Sequence, residues 1–297
     1  MKKLTVFTPT FNRAHLLPRL YESLKKQTCQ DFLWLVIDDG SSDDTKTLLH
    51  SYISEAFLEI KYLYQDNQGM HGAHNTAYRN IKTELNTCID SDDFMPENAV
   101  ELILREWNSI SDKEKFAGLI GLDAYIDSGK IVGTTLPDHE INFLEYYNSG
   151  GSGDKKLVYR TDVIQSVPEY PVFEGEKYVG LSYKYMLVEK KLVTINQVLV
   201  IVDYQPTGSS NNMFRQYFNN PKGFAFLRLE QMKLPMPLKR KVMDAIHYVS
   251  SSLLSKDQKF LRKSPQKLLT FFAIPAGIVL YALVRFKNRN RTFSREL

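Results

Sequence analysis

Asp90, Asp92 and Asp93 place three carboxylates within four residues, directly after the strand-like stretch Leu85–Ile89. Like charges gathered at the end of a strand repel one another, and a low-dielectric crevice penalises them further unless a cation lies among them. Hard oxygen donors suit Mg²⁺ or Mn²⁺, which neutralises charge building on a departing diphosphate. The competing reading is a solvated acidic turn in which Asp92 or Asp93 caps the next helix. Asp38-Asp39-Gly40-Ser41 repeats the theme after the strand-like Phe32–Ile37. A carboxylate there accepts N–H or O–H hydrogens from a nucleobase or ribose, or else makes a plain Asx turn.

These turns need a scaffold, and the first half of the chain supplies one. Leu4–Thr8 is an apolar run stopped by Pro9, and His15–Gln27 sets Leu17, Leu20 and Leu24 on one helical face. After Phe32–Ile37, Asp43 or Asp44 can cap a second helix. Ile60, Tyr62 and Tyr64 alternate as in a strand, and a helix spans Gly72–Ile81. A further helix starts near Pro96, a residue suited to a first turn, and strands follow at Leu119–Leu122 and at 192–202. Repeated strand–loop–helix units predict an α/β fold with a mostly parallel sheet and flanking helices. Ligands of such sheets bind beyond the carboxyl ends of the strands, so Thr8-Pro9-Thr10, Asp38-Asp39-Gly40 and Asp90–Asp93 are expected to face one crevice.

Thr8-Pro9-Thr10-Phe11-Asn12-Arg13, Asp38-Asp39-Gly40-Ser41-Ser42-Asp43, Asn67-Gln68-Gly69 with Ala73-His74-Asn75, and Asp90-Ser91-Asp92-Asp93 together resemble family 2 glycosyltransferases in order and spacing. The resemblance covers about the first 125 residues and implies the GT-A, Rossmann-like fold. It implies an inverting hexosyltransferase-type enzyme that takes a sugar from a nucleotide-sugar, UDP-linked in most relatives, with Mn²⁺ or Mg²⁺. By the same resemblance, Pro9, Thr10, Phe11 and Asn12 line the base pocket and Asp39 reads the base. Asn67, Gly69, His71, His74, Asn75 and Ser91 attend the donor, Asp90 and Asp92 fill the DxD positions, and Asp92 or Asp93 holds the metal. Relatives often carry Lys or Arg where His71 and His74 stand. A histidine still donates to phosphate in a pH-dependent way, and a helix start there offers N–H groups to an anion; packing beside the sheet is the other reading.

Phe173-Glu174-Gly175-Glu176-Lys177-Tyr178 resembles a subgroup of that family in which a carboxylate deprotonates the acceptor hydroxyl. Glu176 is the candidate base and Glu174 the reserve, because direct displacement needs a general base opposite the leaving group; a surface salt bridge is the alternative. Asp203-Tyr204-Gln205-Pro206-Thr207-Gly208 resembles a loop that closes over the donor. Ser149-Gly150-Gly151-Ser152-Gly153 is read as a flexible loop, covering the acceptor or merely connecting.

Charge divides the chain. Of 38 Lys/Arg and 34 Asp/Glu, the stretch Lys233–Leu297 holds 14 and 3, leaving an acidic body and a basic tail. The domain expectation is residues 1–220 for catalysis and 221–297 for a basic helical extension. Leu238, Val242, Ile246, Val249 and Leu253 fall at helical spacing, and Leu268–Val284 runs 17 residues without a charge. At about 1.5 Å per residue that run reaches ~25 Å, short of a ~30 Å hydrocarbon core. Membrane association at the cytoplasmic face, peripheral rather than spanning, is therefore expected; a hairpin packed on the catalytic domain or on a second copy, making a homo-oligomer, is the alternative. Nucleic acid is not an expected partner, since phosphate has no use for the uncharged run. Cys29 and Cys88 are too few for a disulfide framework or zinc site, and the start is too soon polar for a signal peptide.

The expected activity is transfer to a glycan or lipid-linked acceptor in surface polysaccharide synthesis. A metal-dependent nucleotidyltransferase would favour a Gly-rich phosphate loop after the first strand, and Thr8–Phe11 has none. A non-catalytic sugar- or membrane-binding module on the same fold would not bind UDP more tightly with Mn²⁺.

Overall fold

The computed structural model describes residues 2–205 and 212–293, with backbone only for 289–293. Pro206, Thr207 and Gly208 of the donor-closing loop therefore lie outside the described residues.

The first half alternates as expected: β1 (Leu4–Thr10), α1 (Leu17–Lys25), β2 (Phe32–Asp38), α2 (Thr45–Glu55), β3 (Ile60–Tyr64), α3 (Met70–Asn80), β4 (Leu85–Cys88) and α4 (Ala99–Ser109). Every residue of β1 is buried, the pattern of a strand covered on both faces. In α1, Pro18 occupies the first turn, where its missing N–H is harmless, and Leu17, Leu20, Tyr21 and Leu24 pack inward. α3 starts after Gly69, whose φ of 81° suits glycine and turns the chain sharply into the helix. α4 begins three residues later than Pro96 suggested, because Phe94 pairs with Ile201 and holds the chain extended.

β5 (Phe116–Tyr125), β6 (Glu140–Ile141), α5 (Phe143–Asn148), β7 (Lys155–Arg160), α6 (Thr161–Ser166), α7 (Ser182–Leu187) and β8 (Lys191–Val202) follow. The strands form one eight-stranded sheet in the order β3-β2-β1-β4-β7-β5-β8-β6. β1 runs parallel to β2 and β4, β2 to β3, and β5 to β8, while β7 lies antiparallel between β4 and β5. Leu4, Val6, Trp34 and Val36 from the sheet meet Leu20, Leu24, Ile103 and Trp107 from the helices in the main core. Both cysteines are free and half-buried.

Two compact units divide the chain. The first runs up to Glu169 and includes Lys184–Tyr204; the second comprises Tyr170–Tyr183 and the chain from Gln205 onward. A boundary at 220/221 falls inside the second unit. That unit carries α8 (Met213–Asn219), α9 (Pro221–Lys233), α10 (Leu238–Leu254), α11 (Phe260–Lys263) and α12 (Lys267–Phe293). Met232, Tyr248, Val249 and Ala273 join α9, α10 and α12 in a small core. Leu238, at the first residue of α10, stays 72% exposed because packing begins only further along the helix.

Candidate active site

The ends of β1 and β2 are laced together. Asp39 N–H donates to the Thr10 carbonyl (2.8 Å), and Asn12 N–H donates to Ser41 Oγ (2.9 Å). Asn12 Oδ1 accepts from Ser42 N–H at 2.7 Å, and Asp43 Oδ2 from Ala14 N–H at 3.0 Å. Asp38 makes the Asx turn, accepting from Ser41 N–H at 2.8 Å and from the Tyr62 hydroxyl at 2.7 Å. Asp39 is buried and accepts from Gln65 Nε2 (2.7 Å), Gln68 N–H and Gly69 N–H (both 2.8 Å), so it suspends the loop leading into α3. Asn67 rides on that loop beside Gly40.

Pro9, Thr10, Phe11 and Asp39 line one side of a cavity of ≈ 150 Å³, and Asp90 and Ser91 another. Arg13, Met70 and Ala73 complete it. The wall from α3 is thus Met70 and Ala73 rather than His71 or His74. His71, His74 and Asn75 are buried on α3, with the His74 ring edge-on to Phe7 at 5.1 Å. Burial lowers the His74 pKa to about 4, which keeps the imidazole neutral at physiological pH.

β4 delivers the acidic turn. Asp90, Asp92 and Asp93 each present a carboxylate oxygen within 4.8 Å of the others. Neither Asp92 nor Asp93 caps α4, whose N-cap residue is Asn98. Burial, and then the charge of Asp90, raise the pKa of Asp92 and push that of Asp93 up to about 8. Arg13 Nη1 donates to Asp92 Oδ2 at 2.7 Å, and Asp93 Oδ1 accepts from Asp203 N–H at 3.1 Å. Three converging hard oxygen donors, with the ionisation of Asp92 and Asp93 opposed by burial and by neighbouring carboxylates, fit a divalent cation.

Four residues join this site that the sequence reading did not assign to it. Arg13 pairs with Asp92. Arg19 donates to the Asp92 carbonyl and, through Nη1, to Asp203 Oδ2 at 2.7 Å. Lys156 donates from Nζ to the Cys88 carbonyl at 2.7 Å; burial alone would lower its pKa, but Asp123, Cys88, Asp90 and Asp93 raise it. Asp123 is buried on β5, and that burial pushes its pKa up to about 6. Arg13 was visible inside the Thr8–Arg13 run, and Lys156 as a cation entering the apolar Leu157–Tyr159 segment. The distances in space were not. Because Arg13 competes with a cation for Asp92, Arg13→Gln is expected to tighten nucleotide-free Mn²⁺ binding about tenfold, ~1.4 kcal/mol. Titration calorimetry reads it, and weaker binding would mean that Arg13 supports the ion instead.

The two base candidates differ sharply. Glu176 is buried, and its carboxylate accepts from Lys222 N–H (3.0 Å) and Gly223 N–H (2.9 Å) in the first turn of α9. Glu174 is exposed.

Residues 5–112 match the family described as Glycosyl transferase family 2. The chain carries a family 2 glycosyltransferase domain. It is 27% identical over 227 residues to a GalNAc(5)-diNAcBac-PP-undecaprenol beta-1,3-glucosyltransferase of Campylobacter jejuni, covering 73% of this chain and 71% of that protein. With the Escherichia coli UDP-Glc:alpha-D-GlcNAc-diphosphoundecaprenol beta-1,3-glucosyltransferase WfgD it shares 24% identity over 215 residues, 72% of this chain and 81% of the relative. Other relatives are matched over only 15–32% of their own length. Among solved structures, S. aureus TarS 1-349 in complex with UDP-GlcNAc superposes with a TM-score of 0.64 at 16% identity, over 98% of this chain and 92% of that one. That likeness establishes the GT-A fold expected from the motifs, while the family match and the named relatives make the protein a glycosyltransferase.

Proposed function

We propose that this glycosyltransferase moves a sugar from a UDP-sugar, with inversion, onto a hydroxyl of a lipid-linked glycan at the cytoplasmic face of the membrane, during synthesis of a surface polysaccharide. The observation that carries the reading is the meeting of three strand-end turns in one unit: Pro9–Phe11, Asp39, Asp90 and Ser91 line one cavity, and Asp92 and Asp93 join Asp90 in a carboxylate trio. Phe11, 45% exposed, offers a ring face for a nucleobase, and Asp39 fixes the loop that shapes the pocket. Asp92 and Asp93 hold the ion, with Asp90 and Ser91 beside the donor. Mn²⁺ or Mg²⁺ bound there supplies counter-charge to the diphosphate leaving group. His74 and Tyr78, edge-on to Phe7, keep α3 seated on β1, with Met70 and Ala73 toward the donor and His71 and Asn75 buried on the same helix.

Glu174 takes the role of general base in this proposal, since the carboxylate of Glu176 is engaged with two helix amides. The undecaprenol-linked acceptors named for two relatives support the acceptor class, and the basic tail supports attachment to the membrane. A panel of UDP- and other nucleotide-sugars, offered with undecaprenyl-diphosphate-linked saccharides with and without Mn²⁺, is the test. Turnover confined to UDP-sugars, stimulated by Mn²⁺ and dependent on the lipid-linked acceptor, is expected; equal turnover with GDP-sugars or in chelator would overturn the donor or the metal assignment.

A further inference from the structure

α12 is two-faced along its whole described length. On one side Thr270, Ala273 and Val284 are buried, and a Cβ added at Gly277 would lie 2.5 Å from the side chain of Val249, so this face is pressed against α10. On the other side Phe271, Phe272, Ile278, Val279, Leu283 and Phe286 are 49–75% exposed, and Leu268 at the start is 77% exposed. Their spacing by three, four and seven residues makes a continuous stripe. At on the order of 100 Å² each, they exceed the few hundred Å² of contiguous apolar surface that soluble monomers tolerate.

The surroundings of the stripe select its occupant. Lys267, Arg285 and Lys287 are exposed at its two ends. α8 extends it, since Asn288 Nδ2 donates to the Phe214 carbonyl (3.3 Å) and Lys287 Nζ lies 4.2 Å from the Phe214 ring centroid. Met213, Phe214 and Phe218 of α8 are themselves 39–43% exposed. Two copies of this face brought together would oppose like charges, whereas anionic lipid headgroups neutralise them and the acyl boundary accepts the apolar stripe.

The same geometry decides between lying on a bilayer and crossing it. Lys267–Asn288 is long and apolar enough to span, with mean hydropathy 2.0. Crossing, however, would strip Thr270, Ala273, Gly277 and Val284 from their packing partners. Pro275 also has no N–H for the Phe271 carbonyl, which is costly in hydrocarbon and cheap at the wet interface. We propose that α12 lies in the plane of an anionic membrane surface, its Phe271–Phe286 stripe immersed and its opposite face kept on α10, without spanning. This rests on the membrane attachment proposed above and adds its mode.

Full-length Phe272→Trp and Phe286→Trp variants, bound to phosphatidylglycerol-containing vesicles with lipids brominated at graded depths, test it. Native Trp34 and Trp107 are buried and give a constant background. The two positions are 14 residues apart, ~21 Å along a helix axis. Equal, shallow quenching depths are expected, together with at least about tenfold weaker vesicle binding for the double variant Phe272→Glu/Val279→Glu with UDP affinity unchanged. Binding in which an Ile278→Trp reporter, midway along the helix, is quenched most strongly by bromines near the bilayer centre would overturn the in-plane mode and leave membrane attachment standing. No binding to anionic vesicles by a chain that still binds UDP would overturn both, and a dimer in vesicle-free solution that Val279→Glu dissociates would assign the stripe to a second copy.

Discussion

Asp92→Ala is expected to lower sugar transfer about 10³-fold, ~4 kcal/mol of barrier, while leaving the melting temperature unchanged or slightly higher at pH 7.5. The loss follows from removing one oxygen donor of a three-carboxylate site and, with it, the counter-charge offered to the departing diphosphate. The intact stability follows from the sign of the pKa shift. Burial and Asp90 raise the Asp92 pKa above its unfolded value, so near neutral pH the ionised carboxylate is held in the fold against a penalty. Deleting it relieves that penalty and the repulsion on Asp93, which offsets the lost ion pair with Arg13, a partly exposed pair of modest worth. Mn²⁺-dependent tightening of UDP should vanish in the same variant. Turnover at the native rate with Mn²⁺ present would remove Asp92 from the site.

The parts of this protein that could be read from sequence are those governed by local pattern. β2 is a near-continuous apolar run and β1 mixes apolar residues with threonine, and each stops at a polar turn, which places their ends and so their convergence. The acidic trio was legible because three carboxylates in four residues follow a strand, and the helix-cap reading that competed with it falls away only in the structure, where Asn98 is the N-cap of α4. Arg13 and Asp92 are 79 residues apart, and nothing in either segment encodes a 2.7 Å approach. α3 was open to a closer reading: His71, His74, Asn75 and Tyr78 stand at i, i+3, i+4 and i+7, the spacing of one buried face, and all four are buried. Chemical type suggested phosphate contact there, while periodicity pointed to the sheet. The apolar stripe of α12 was visible as an uncharged run, but which side of it packs on α10 is a tertiary fact.

Glu176 shows the same limit, and its separation from Glu174 has a large measurable consequence. Two backbone donors at the start of α9 converge on the buried Glu176 carboxylate, and the neighbouring Lys177 N–H donates to Asn220 Oδ1 at 2.7 Å just before that helix. Charge-assisted capping of this kind contributes about 1–2 kcal/mol, and burial raises the penalty for orphaning the donors. Glu176→Ala is therefore expected to lower the melting temperature by several degrees, with Glu176→Gln intermediate because an amide can accept only through its carbonyl oxygen. Glu174 has no such duty. Glu174→Gln should melt with the wild type yet lose about 10²–10⁴-fold in kcat, with KM for the donor little changed, the signature of a missing base. The opposite pair of results, a stable but inactive Glu176→Gln beside a fully active Glu174→Gln, would return the base to Glu176 and make the helix cap incidental to its chemistry.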